Sequence, residues 1–367
     1  MILKIQLIGC LAAACAGVAS LCACDMKTDT ATSTDTGMQM TTQSEKADTA
    51  NAATEKRKLI IDTDTGADDA SALIFAAKQK QAEILGVTTL VGNVDIEQST
   101  RNALAALELI GCDAPVYRGS ADTYDGTEKS AFSVFGKDGM GDSDLIHPQK
   151  QAAEGDAVDF MIETIEENPG EVEIVALGPA TNIAKAIKKA PDTMKHVKRI
   201  WSMGSAGLGP GNATPVAEFN VYADAPAYKV LLDSGLPVTV IGLDMCDGDS
   251  MWTNEQFDEL EKMNATGEFV TQSFGKLRDF YRGNGFESVY NCDSVAMMCV
   301  LCPEFVTNTI NTHASCITDE GEAYAQVIFY QEGFTYDTMM DDFQYNTILI
   351  TGVRKSDYFE TYKRAIS

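Results

Sequence analysis

From Leu59 onward, short apolar runs alternate with stretches whose apolar positions recur at helical spacing. Leu59, Ile60 and Ile61 form a run that stops at Asp62, the pattern of a strand covered on both faces of a sheet. Gly66 permits a sharp turn, and Ala70, Leu73, Ile74 and Ala77 then repeat at i, i+3, i+4 and i+7, so a helix begins near Asp68. The alternation continues with a strand over 83–91, a helix over 95–110, a short strand over 114–117 and a helix over 156–167. Beyond these come strands over 172–177, 197–203 and 237–243, interleaved with helices over 180–189 and 226–234. Residues 118–155 are rich in Gly, Asp and Ser and are expected to form a long loop or flap, a length that is uncommon unless functional. The pattern predicts an α/β domain with a mostly parallel central sheet and helices on both faces.

The start of the chain does not share this pattern. Residues 1–23 combine a single Lys4, an apolar stretch and small residues, which is the make-up of a signal peptide and not of a membrane span. Leu21-Cys22-Ala23-Cys24 resembles a bacterial lipobox, with Cys22 unusual at its place. Cys24 would then be lipidated and the protein exported and held at the outer face of a bacterial cell membrane by that lipid alone; cleavage without lipidation is the plainer alternative. Residues 24–56 are Thr, Asp, Ala, Ser and Gln with almost nothing to bury, so they are expected to be a disordered tether to a folded domain at 57–367.

Composition narrows the partners. A chain of 367 residues with 45% hydrophobic and 22% charged positions can bury a sizeable core, and one large domain is preferred over two small ones. The formal charge of −26 excludes nucleic acid and anionic membrane surfaces as electrostatic partners, because phosphates are bound by clustered Lys and Arg. Beyond the tether the cysteines are Cys112, Cys246, Cys292, Cys299, Cys302 and Cys316. An exported protein could pair them, but Cys299 and Cys302 share an apolar helical segment where free Cys packs as a small hydrophobe. Their spacing offers no structural zinc site.

In parallel sheets, ligands bind beyond the carboxyl ends of the strands. The polar residues follow that rule: Asp62 and Asp64 end one strand, Asn93 follows a second, 178–182 a third, Gly204 a fourth and Asp244 a fifth. Asp293 is expected in the first turn of a later helix. Four carboxylates, Asp62, Asp64, Asp68 and Asp69, crowd the first strand-turn-helix. A helix macrodipole rewards acidic residues in its first turn by only about 0.3–1 kcal/mol and does not ask for Asp62 and Asp64 as well. The surplus negative charge calls for a cation.

Asp62-Thr-Asp64-Thr-Gly66-Ala-Asp68-Asp69 resembles the DxDPGxDD signature of the inosine-uridine-preferring nucleoside hydrolases, with Thr65 in place of the usual Pro. The likeness continues, in family order, through Gly86-Val-Thr-Thr-Leu-Val-Gly-Asn93, Ala176-Leu-Gly-Pro-Ala-Thr-Asn182, Gly211-Asn-Ala-Thr-Pro-Val-Ala-Glu218-Phe-Asn220 and Cys292-Asp293. The resemblance implies a nucleoside hydrolase fold, Rossmann-like, with its active site at the C-terminal ends of the strands. It implies a Ca²⁺ ion held by Asp64, Asp69, the main-chain carbonyl of Leu177 and Asp293, oxygen ligands of the kind this hard cation takes. Asp64 would be the general base toward water. Asp68, Asn93, Asn212, Glu218 and Asn220 would bind the ribose, and Asp62 would stand behind the metal ligands. The substrate would be a small-molecule nucleoside, and the assembly a homodimer or homotetramer.

Two departures bear on the base half of the reaction. Cys292 stands where many members carry the His that protonates the leaving base, and Phe135 replaces a second His on the flap. The chain's three histidines are His147, His196 and His313, and His147 is expected to be a solvated loop residue. Tyr281, Arg282, Tyr290 and Asn291 lie near the expected base pocket. Asn182 is expected to cap a helix, and Trp201 and Trp252 to be core or rim residues. Two alternatives stay open at this point. One is a lipid-anchored nucleoside- or ribose-binding protein without turnover. The other is a haloacid-dehalogenase-type phosphatase, in which Asp62 would be the nucleophile and Asp64 the acid/base around Mg²⁺.

Overall fold

The computed structural model of the chain describes residues 56–126, 132–331, 333 and 345–367. The expected signal peptide, Cys24 and all but the last residue of the expected tether lie outside the described residues. Strand β1 (Arg57–Thr63) is the third strand from one edge of a sheet that has nine strands among the described residues. Its parallel neighbours are β2 (Ala82–Thr89), which carries β3 (Val116–Arg118) on its far side, and β4 (Val172–Ala176). Past β4 the parallel set continues with β5 (Arg199–Met203) and β6 (Val238–Ile241). A separate ribbon pairs β7 (Trp252–Thr253) with β8 (Ser288–Val289).

The last three strands depart from the parallel pattern. Strand β11 (Thr347–Val353) lies parallel to β6, but β9 (Val306–Cys316) runs antiparallel to β11 and to β10 (Val327–Gln331). The order is therefore β3-β2-β1-β4-β5-β6-β11-β9-β10, and it reverses direction between β1 and β4. A sheet of this kind opens a crevice at that switch point, beyond the carboxyl ends of the two strands.

The apolar run of β1 supplies both cores. Leu59 and Ile61 face the layer that contains Leu73 and Val295, whereas Ile60 faces the layer that contains Ile174 and Leu231. All three are fully buried, worth about 1.5–3 kcal/mol each. The helix Ala67–Ala77 packs on the helix Cys292–Leu301, every residue of which is buried. That burial accounts for Cys299, and all six described cysteines are free. Trp252 is a core residue stacked on Tyr358 and edge-on to Tyr362 of the C-terminal helix Tyr358–Ile366. Among the described residues, no helix is long and apolar enough to cross a membrane.

The flap expected over 118–155 contains a short helix, Phe132–Phe135. The described turn that follows is packed down: Met140 is fully buried, and Asn102 Nδ2 donates both to the Asp138 carbonyl and to the Thr65 carbonyl, at 2.8 Å each. One side chain thus ties the flap to the turn after β1.

Candidate active site

The acidic turn sits at the switch point. Asp64 follows β1 directly, and its Oδ2 accepts the Asn93 backbone N–H at 2.6 Å. Its carboxylate lies between the chain segments that leave β2 and β4. A Cβ on Gly92 would overlap Asp64 Oδ2, and one on Gly178 would come within 2.6 Å of Asp64 Oδ1. Both glycines are therefore required by close approach. Asp69 is oriented by three donors: Thr63 Oγ1 at 2.6 Å, the Gly66 N–H at 2.9 Å and Asn93 Nδ2 at 3.1 Å. Gly66 is the N-cap of the helix Ala67–Ala77, so the bond that caps the helix backbone also places the Asp69 carboxylate.

Asp68, Asp69 and Asp293 present carboxylate oxygens within 4.8 Å of one another, all buried. Asp293 comes from the first turn of the helix Cys292–Leu301, so the packing of that helix on Ala67–Ala77 sets the spacing. Burial drives the Asp64 and Asp293 carboxyls well above the usual range, and repulsion among the neighbouring aspartates adds to it. Asp68 is pushed up to about 8 by burial and then by Asp69. Asp64 Oδ1 and Asp68 Oδ1 are buried without a hydrogen-bond partner. Among the described residues, no ion pair reaches Asp64, Asp68, Asp69 or Asp293. Orphaned anionic oxygens with no cationic side chain fit a divalent metal ion. The geometric cluster includes Asp68 beside the expected ligands Asp69 and Asp293, while Asp64 belongs to it through electrostatic contact.

Asp62 stands behind this group. Its Oδ1 accepts from Thr88 Oγ1 at 2.7 Å and from Asn182 Nδ2 at 2.8 Å, and it is fully buried away from the cavity. That placement removes the phosphatase reading, which needs Asp62 exposed to substrate as the nucleophile. It also corrects the expectation for Asn182. Ala180 holds the helix-cap position, and Asn182 bridges Asp62 to the Thr89 carbonyl while accepting from Ser120.

The remaining expected residues line one cavity with Asp68 and Asp293. Glu218 starts the helix Phe219–Ala223 and accepts the N–H groups of Asn220, Val221 and Ser205. Burial nevertheless raises its carboxyl to about 7. Asn220 Nδ2 donates to the Leu177 carbonyl at 2.7 Å, and Asn212 Oδ1 accepts the Phe219 N–H at 2.9 Å. Asn93, Leu177, Asn212, Glu218 and Asn220 all contribute to the wall.

The other end of the cavity is apolar. Phe135, Tyr281, Tyr290 and Cys292 line it as the sequence suggested, joined by Leu277 and Phe280, which it did not. Leu277, Phe280 and Tyr281 lie at i, i+3 and i+4 on the helix Gly275–Gly283, a spacing that marks one helical face. Arg282 turns away to Asp279 and Asn254, and Asn291 is buried against Ser71. His147 is exposed and bonded to Asp144, outside the cavity.

The α/β sheet thus gathers buried carboxylates that could hold a metal ion, with carboxamides, at its switch point beside a cavity with an aromatic end, the make-up of an enzyme site. The sequence profile described as inosine-uridine preferring nucleoside hydrolase matches residues 59–360, and the chain belongs to that family of metal-dependent N-glycosyl hydrolases. It is 39% identical over 257 residues to uridine nucleosidase 1 of Arabidopsis thaliana, covering 68% of this chain and 75% of that protein. It is 33% identical to the pyrimidine-specific ribonucleoside hydrolase RihB of Escherichia coli, covering 64% and 73%. Among solved structures, a plant nucleoside hydrolase, PpNRh1, superposes with a TM-score of 0.78 at 28% identity, covering 84% of this chain and 98% of that one. A purine-preferring ribonucleoside hydrolase from Gardnerella vaginalis gives 0.76 at 29%, with the same coverage.

Proposed function

We propose that this enzyme hydrolyses the N-glycosidic bond of ribonucleosides to free base and ribose with a Ca²⁺ ion held by Asp64, Asp69, Asp293 and the Leu177 carbonyl. The observation that carries the reading is the set of buried, mutually repelling carboxylates at the switch point, without an ion-pair partner among the described residues. When bound, such an ion neutralises the carboxylates and lowers the pKa of water at the site.

The chain's own residues do the rest. Asp64, aimed by the Asn93 N–H and wedged between Gly92 and Gly178, takes a proton from the attacking water. Asp68 and Asn93 hold the 2′ side of the ribose, Asn220 the 2′ and 3′ side, and Asn212 with Glu218 the 5′-hydroxyl. Asp62 fixes the backbone behind Asp64 through Thr88 and Asn182. As the bond to the base lengthens, the sugar becomes oxocarbenium-like, and the surrounding carboxylates and amide oxygens favour that positive charge. The Asp64→Ala variant should lose at least about 100-fold in kcat while still folding. Reducing-sugar release from uridine and inosine at the wild-type rate would refute the assignment of Asp64, and nucleoside binding without any release by the wild type would favour a receptor.

A further inference from the structure

Among the described residues, the base end of the cavity holds no histidine, and the groups there that carry a proton are the Tyr281 and Tyr290 hydroxyls and the Cys292 thiol. The protein's three histidines all lie elsewhere: His147 is exposed on a loop, His196 precedes β5 at the opposite end of the sheet, and His313 sits on β9. No Lys or Arg is among the described residues that line the cavity. Arg282 pairs with Asp279, and Lys276 faces Asp142.

What the base end does hold is aromatic. The Tyr281 ring meets Phe280 and Tyr290 at centroid distances of 5.8 Å, with interplanar angles of 75° and 70°. Tyr281 thus stands steeply to both neighbours, and these three rings line the cavity as a box together with Phe135. A cavity lined by aromatic rings can take a cation against a ring face. Asp68, outside the proposed Ca²⁺ ligand set, lies in the same cavity as the box, on a chain of formal charge −26. The phenols are weak donors as well, since burial raises Tyr281 and lifts Tyr290 to about 12.

We propose that the site prefers ribosides whose base already carries a fixed positive charge, namely N-ribosylpyridinium and N7-alkylated purine nucleosides, over neutral nucleosides. This rests on the hydrolase reading above and names its substrate class. The chemistry balances without an acid. Water oxygen bonds to C1′, the C1′–N pair moves onto the ring nitrogen and discharges the ring, and one water proton passes to Asp64 and then to solvent. The departing ring leaves neutral and needs no proton.

The test compares kcat/KM of the full chain with Ca²⁺ for matched pairs: 7-methylguanosine against guanosine, and N-ribosylnicotinamide against uridine and inosine. A positioned general acid is worth about 10²–10⁴-fold, so without one the cationic substrates should lead by at least about 100-fold. The Tyr281→Leu variant should erode that lead through a KM higher by about tenfold for the cationic substrates, in keeping with a lost cation–π wall. Neutral nucleosides cleaved within about threefold of the cationic ones would reveal a proton donor and overturn the proposal, leaving the hydrolase reading intact. Release from no ribonucleoside, charged or neutral, would overturn both.

Discussion

Asp64 keeps its orientation because the chain on either side of it has no side chain. Gly92→Ala would drive a methyl group into Asp64 Oδ2, and the short backbone segment there leaves little room to yield. We expect this variant to fold and to bind Ca²⁺ at least about tenfold more weakly, a loss of about 1.4 kcal/mol that calorimetric titration would read. Unchanged affinity would mean that Asp64 lies outside the metal's reach. The aspartates were legible in the sequence because charge at the buried end of a strand is an anomaly that local structure cannot explain. Asn182 was not, because a polar residue near a helix start looks the same whether it caps the helix or reaches back to Asp62 and Thr89.

Two buried helices carry the acidic cluster, and a polar seam in the core holds them together. Ser71 of Ala67–Ala77 bonds to Ser294 of Cys292–Leu301, and both Ser71 and its backbone carbonyl engage the Tyr362 hydroxyl from the C-terminal helix. Tyr362→Phe removes that hydroxyl and leaves Ser71 with fewer buried partners, which should cost about 1–3 kcal/mol in urea unfolding. The spacing of Asp69 and Asp293 depends on the same seam, so Ca²⁺ affinity should fall with it; full stability in the variant would contradict the role.

At the element scale, most strands and helices up to residue 243 were legible because their apolar runs or stripes are clean, whereas the short helices Phe132–Phe135, Pro191–Met194 and Phe219–Ala223 were not, being too short to show a period. The antiparallel edge was not. β9 opens with a mostly exposed polar run, and its buried positions Thr312, Ala314 and Cys316 are not an apolar series, while β10 is only partly buried throughout, so neither shows a hydrophobic period in the sequence. The Gly275–Gly283 helix hid its role for another reason: its apolar face covers a cavity, and periodicity does not tell a cavity from a core.

For the molecule as a whole, the buried acids tie stability to pH. Burial raises the Asp62 carboxyl from 3.8 to about 7, against which the bonds from Asn182 and Thr88 act only partly. The folded state thus holds a proton that the unfolded chain has released. The associated stability is fully present below the unfolded value of 3.8 and is lost as pH rises through about 7. With chelator present, the unfolding free energy should fall between about pH 4 and pH 7, by an amount on the order of 2–4 kcal/mol, with Tm falling alongside, and Asp62→Asn should flatten that slope. A stability that rises across the same interval would show Asp62 to be ionised in the folded protein.

The central claim is a metal-dependent ribonucleoside hydrolysis centred on the carboxylates at the switch point. Its most direct test is base release from uridine, inosine and N-ribosylnicotinamide by the full chain, first stripped with a calcium chelator and then restored with Ca²⁺. The account predicts loss of turnover on chelation, recovery with Ca²⁺, and no recovery in Asp69→Asn. Turnover that persists through chelation and in that variant would contradict it.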